Sequence, residues 1–172
     1  WSSDVCSSDL RSAGHSGLTN GYVTQHIAGQ VPGTEIFYSV QGNILRPDGV
    51  VPAGVKAFVD AKGGITDRVM AAMEAADAHG GDSRCNCGNN PLDFVPCDNK
   101  TSHVAYIAIA NKDDVMGVTH NDGKYFAYIA VGDNEIKKGE SANPVKTLRM
   151  RYNAWVKAGA KRTAPPGPTL YK

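Results

Sequence analysis

The sequence has no run approaching the ~20 apolar residues that a bilayer crossing needs. It also has no basic and apolar leader of signal-peptide type at its start, which is Trp1 and not Met. Neither a Walker-type phosphate loop nor zinc-finger spacing occurs, and no aromatic platform is interleaved with Arg. Nucleic-acid binding is therefore not expected. There is no H-E-x-x-H pair, no G-x-S-x-G nucleophile elbow and no paired-carboxylate arrangement. No cofactor signature stands out, and neither a cofactor nor a resident metal is expected. From Val145 onward there are 7 basic residues and no acidic one, whereas Trp1 to Pro144 carries 11 basic and 17 acidic residues. The two stretches thus bear +7 and −6 and sum to the formal +1. Because the C-terminal cations alternate with an apolar stripe, they read as a solvated helix face and a soluble tail.

What is present is ordinary globular material. The 172 residues suit one domain of about 100–200 residues. A hydrophobic fraction of 41% with 19 Gly is enough for a packed core and excludes a chain disordered by composition. No internal repeat is visible. Residues 21–29 form a short strand bounded by glycines. Residues 36–45 form the clearest early strand, with Ile36, Tyr38 and Val40 on one face and Phe37, Ser39 and Gln41 on the other. Large apolar groups on both faces predict a strand covered on two sides, interrupted at Gly42-Asn43.

Two helices follow. The first spans about 53–61, with Val55, Phe58 and Val59 on its buried face. The second is capped by Thr66, carries Asp67 in its first turn and buries Val69, Ala72, Met73 and Ala76. Gly80-Gly81 ends it through left-handed backbone, with His79 at the helix end. Strands are expected at 104–110, at 125–131 and, shorter, at 115–119. Asn143 caps and Pro144 opens a last helix, burying Val145, Leu148, Tyr152 and Trp155 and leaving Lys146, Arg149 and Arg151 solvated. Sheets covered on both faces plus amphipathic helices argue for a layered α/β or α+β domain. Thr163 to Lys172 holds three Pro and reads as a tail.

Few residues carry chemistry. Cys97 can pair with Cys85 or Cys87 and close a loop of about a dozen residues. Thiols or a metal completed by Asp98 or His103 are the alternatives, although the spacing is unlike a structural zinc site. A disulfide implies an oxidising compartment. His26, between two glycines, is the histidine best placed for a pocket, against use in the core or on the surface. His103 starts a strand and can simply face solvent. Gln41 and Asn43 flank a bare Gly42 and suit an oxyanion site, unless Asn43 only bonds its own turn. Asp82 and Arg84, after the sharp exit of Gly80-Gly81, are placed either to pair with each other as a structural ion pair or to orient a substrate carboxylate or amide.

Three segments together, YSVQGNIL (Tyr38–Leu45), RVMAAMEAADAHGGDSR (Arg68–Arg84) and ANPVKTLRMRYNAW (Ala142–Trp155), resemble the DUF1028 family of uncharacterised proteins. His26-Ile27-Ala28-Gly29 is similar to the family's His-x-x-Gly step ahead of QGNIL. The resemblance runs from about Arg11 to Ala158 and covers the latter two-thirds of a family member. It implies the N-terminal-nucleophile (Ntn) hydrolase superfamily and an α+β, four-layer α-β-β-α sandwich whose first strands are missing. In that superfamily an N-terminal Thr, Ser or Cys attacks an amide carbonyl, with its own α-amine as base.

The expectation is thus a partial domain over 11–160 followed by a Pro-rich tail over 161–172. Residues 1–10 resemble translated adapter sequence from environmental assemblies, so Ser2, Ser3 and Cys6 are not promoted to nucleophile. His26, Gln41, Asn43, Asp82 and Arg84 are the pocket candidates. The expected function is an amide-bond hydrolase acting on a small amide or peptide-like substrate, inactive without its first strand. The alternative is a secreted, non-enzymatic binding module on the same fold. The Cys-rich loop resembles those of secreted members and implies an extracytoplasmic location. Self-association is left open.

Overall fold

The elements follow from local chemistry in the computed structural model, which describes residues 12–17, 19–89, 92–97, 99–112, 114 and 125–163. The element order is β1 (Val23–Gln30), β2 (Phe37–Leu45), α1 (Val50–Asp60), α2 (Ile65–Ala78), β3 (Val104–Ile109), β4 (Ala127–Gly132) and α3 (Pro144–Lys157). The architecture is an alternation of strands and helices with two small antiparallel sheets, β1-β2 and β3-β4. The chain divides into two compact units, Trp1–Arg84 and Cys85–Lys172. No helix of the described residues is long and apolar enough to cross a membrane. The short strand expected at 115–119 lies outside the described residues.

In the first unit, β1 and β2 pair with His26 opposite Gln41 and Ile27 opposite Val40. One face of this pair packs on α1, where the Tyr38 and Phe58 rings lie 5.6 Å apart. The other face is not closed by large apolar groups as expected. Ser39 and Gln41 remain exposed, and the extended segment 12–17 crosses it. Ser39 Oγ donates to Ala13 O at 2.8 Å and Ser12 Oγ to Gly29 O at 3.0 Å.

Helix α1 starts three residues earlier than the pattern suggested, because a proline at residue 52 is tolerated in a first turn. Its buried line is Val50, Val51, Gly54 and Phe58, and not Val55 and Val59, which are half-buried. Gly54 lies at the approach to α2: a Cβ there would stand 3.4 Å from Ala72 O. Helix α2 is capped by Gly64 and not by Thr66, since Asp67 Oδ2 accepts from Gly64 N at 3.0 Å. Met70 is its one buried residue, and the expected Val69, Ala72, Met73 and Ala76 stripe is half-buried. Gly80 and Gly81 both take positive φ, 90° and 54°, and turn the chain out of the helix behind the C-cap His79.

In the second unit, β3 and β4 alternate strictly. Ala105, Ile107, Ala127, Ile129 and Val131 are buried, and Val104 and Tyr106 on the opposite parity are exposed. Helix α3 begins as its sequence predicts, with Asn143 Oδ1 accepting from Val145 N at 3.0 Å and Pro144 in the first turn. Val145, Leu148 and Tyr152 are buried, while Trp155 and the three cations expected to be solvated, Lys146, Arg149 and Arg151, are half-buried. Residues 161–163, where the tail was expected to start, are held in this unit. Trp155 Nε1 donates to Lys161 O at 2.7 Å, and Thr163 N to Phe126 O at 3.0 Å.

Candidate functional site

The β1-β2 ladder is regular from Gln30–Phe37 to Gln25–Gly42 and then slips, with Val23 opposite Leu45. Two residues, Asn43 and Ile44, therefore stand against Thr24 alone, which is a β-bulge. The interruption expected at Gly42-Asn43 thus falls one residue later. Ile44 carries it at φ +54°, a left-handed conformation that a β-branched residue avoids. Its N–H is held by Gly21 O at 3.3 Å and its carbonyl by Ser83 N at 2.9 Å and Ser83 Oγ at 2.8 Å. Arg46 N donates to Gly81 O at 3.0 Å, so the exit from α2 clamps the far side of the bulge. The QGNIL and GGDSR segments, distant in sequence, are thereby neighbours along one backbone seam.

The bulge opens a cleft of about 310 Å³. Gln41 and Asn43 line it, together with Thr24 from β1 and His15, Ser16 and Asn20 from the segment before β1. No Asp, Glu, Lys or Arg among the described residues lines it. Among the described residues, the side chains of Asn20, Gln41 and Asn43 make no hydrogen bond within the protein. The alternative in which Asn43 only bonds its own turn does not occur. His26 stands one step behind: its Nδ1 lies 3.2 Å from Ser16 Oγ, and a Cβ added at Gly14 would come within 2.8 Å of its ring.

Asp82 and Arg84 do not line this cleft. Arg84 Nε donates to Asp82 Oδ1 at 2.9 Å, Nη2 to Oδ2 at 2.5 Å, and the Arg84 N–H to Oδ1 at 2.8 Å. The fork is closed on its own neighbour, which leaves a structural pair on an exposed guanidinium. Two larger hollows offer less chemistry. One, of about 660 Å³, is a mostly apolar groove along α1 and α2 that holds His79, whose Nδ1 is already 2.6 Å from Asp48 O. The other, of about 560 Å³, borders Arg151, whose donors are taken by Glu140, Ala130 O and Glu135 O.

The second unit holds a disulfide, Cys87–Cys97, with Cα atoms 5.6 Å apart; Cys85 is buried outside it. It also holds a buried ionic cluster. Lys100 and Asp133 are only 3% and 7% exposed, with Nζ 2.8 Å from Oδ2, and His103 Nδ1 is 2.6 Å from the same oxygen. His103 therefore faces a carboxylate, not solvent alone. No spacing rule could have found this cluster, since Asp133 joins from beyond β4. Among the described residues, no group of three or more His, Cys, Asp or Glu side chains could hold a metal ion.

The architecture and site define an α/β protein with a neutral, carboxamide-lined cleft at a strained bulge. The chain belongs to DUF1028, a family of unknown function, whose model matches residues 5–90. That match takes in the cleft, the bulge and the GGDSR segment, but ends before β3, so the likeness of 142–155 to the family lies outside it. No curated protein and no solved structure matches the chain.

Proposed function

We propose that the cleft is the substrate-recognition half of an amide-bond hydrolase of the N-terminal-nucleophile type. The observation that carries the reading is the convergence of Asn20, Gln41 and Asn43 on one hollow, held there by a backbone conformation that costs energy. Strain of this sort persists where surrounding structure enforces it and clusters at functional sites. The geometry supports a division of labour. In this reading the carboxamides bind and orient an amide, and their N–H groups donate to the oxyanion as it forms. The Ser16–His26 contact sets the imidazole orientation beside them.

In this reading the attacking Thr, Ser or Cys belongs to a strand outside the given sequence, and Ser2, Ser3 and Cys6 have no part in it. The reading carries with it the four-layer sandwich that the family resemblance implies. The Cys87–Cys97 bridge supports an oxidising, extracytoplasmic location.

The test is to produce the protein with the coding sequence that precedes residue 11 in its source. N-terminal sequencing of the mature product is then paired with an assay of ammonia release from primary amides. A mature Thr, Ser or Cys, with release reduced about 10–1,000-fold by Gln41→Ala or Asn43→Ala, supports the proposal. Another mature residue with no release overturns it and favours a secreted binding module.

A further inference from the structure

The lining of the cleft has a sharper implication, which rests on reading it as an amide site. We infer that the cleft selects an uncharged primary carboxamide and discriminates against both a carboxylate and an ammonium group of the same size. Among the described residues, every polar side chain that lines it is neutral or an imidazole, and the Arg84 guanidinium is committed to Asp82.

A carboxylate entering the cleft gives up hydration and meets no cationic fork among the described residues, so its charge is not repaid. An ammonium group has three donors and no carboxylate to receive them. A primary carboxamide carries two N–H donors and one carbonyl acceptor, the same set that Asn20, Gln41 and Asn43 each present, so its bonds are reciprocal. Sugars offer comparable hydrogen bonds but usually add an apolar face. Among the described residues, no phenol, indole or phenyl ring lines this cleft to receive one. For a hydrolase the consequence is directional: the neutral substrate is held, and the carboxylate product loses its hold once the bond is cut.

The 172-residue chain itself can be tested with three probes of one length, butyramide, sodium butyrate and n-butylamine, near pH 8, where free imidazole is neutral. The side-chain NH₂ signals of Asn20, Gln41 and Asn43 are followed by ¹⁵N NMR during each titration. Butyramide is expected to shift all three, with dissociation constants at least about tenfold lower than for either charged probe. Gln41→Glu and Asn43→Asp, isosteric changes at exposed positions, are expected to weaken butyramide and strengthen n-butylamine.

Butyrate or butylamine binding as tightly as butyramide overturns the inference. So does the absence of any shift by butyramide up to about 100 mM, a generous bound for so small a ligand. The outcome is separable from the fate of the proposed activity. Butyramide selectivity without ammonia release leaves the ligand class and removes the hydrolase. Ammonia release with equal affinity for butyrate does the reverse.

Discussion

Ile44 holds a conformation that its side chain opposes, and this sets a testable contrast at the scale of single residues. A β-branched residue at positive φ costs about 1–3 kcal/mol, which glycine would not pay. Replacing Ile44 by Gly relieves that strain while losing a half-buried side chain of similar worth. The expected change in unfolding free energy, measured by urea titration, is within about 1 kcal/mol of zero. Val40→Gly, at a regular half-buried position of the same strand, has no strain to relieve and should cost about 2 kcal/mol or more. Equal losses at both positions would mean that Ile44 is unstrained.

The buried ionic cluster behaves differently. Asp133→Ala leaves the Lys100 ammonium enclosed with its carboxylate gone, and should destabilise the second unit by about 3–5 kcal/mol. Lys100→Met with Asp133→Leu together should cost much less, because neither buried charge remains. Denaturant curves of the single and double variants decide it.

Among the elements, α3 shows how a solvated-looking residue becomes structural. Arg151 was read from periodicity as a surface cation, yet it binds Glu140 through Nε at 2.9 Å and Nη2 at 2.9 Å, and donates to Ala130 O at 2.9 Å and Glu135 O at 2.7 Å. These bonds tie α3 to β4 and to the loop between them. The Arg151 hydrogen bonds hold the Glu140 carboxyl below its ordinary 4.5, against the opposing effect of burial, while the Lys137 N–H adds to the lowering. The carboxylate's ordinary value applies in the unfolded chain. The stabilisation is therefore full above pH 4.5 and fades as pH falls through the lowered folded value.

Glu140→Gln should flatten that acid limb of the stability-versus-pH curve, and Arg151→Ala should cost about 2–4 kcal/mol at neutral pH. An unchanged acid limb in the Gln variant would remove the pair from the account. Local rules made the start of α3 legible, because Asn143 and Pro144 act within one turn. The same rules misplaced the cap of α2, where Asp67 reaches back to Gly64 and fixes the first turn ahead of Thr66. Gln41 and Asn43, which line the cleft, could be picked out because a Gly breaks a strong strand pattern between amides, whereas His26, picked on its flanking glycines, is not among the lining residues. Asn20 and Ser16 could not, since their place depends on how segment 12–17 lies across the sheet. Lys100 and Asp133 were invisible for the same reason: only tertiary pairing brings them together.

For the molecule as a whole, the disulfide makes stability depend on redox conditions. Cys87 and Cys97 are 10 residues apart in sequence, and closing so short a loop reduces the freedom of the unfolded chain by about 2–3 kcal/mol. The loop it closes holds no regular helix or strand among its described residues, so little else opposes its opening. Reduction of the native protein, or Cys87→Ser with Cys97→Ser, should therefore lower Tm by several degrees without altering the ¹⁵N signals of Asn20, Gln41 and Asn43, which belong to the other unit. Cys85 provides the control. Lying outside the bond, its replacement by Ala should leave the effect of reduction unchanged, whereas a scheme in which Cys85 is the native partner of Cys97 predicts that the same replacement abolishes it. Differential scanning calorimetry of the two backgrounds, with and without reductant, separates the schemes through the size of the reductant-dependent shift in Tm.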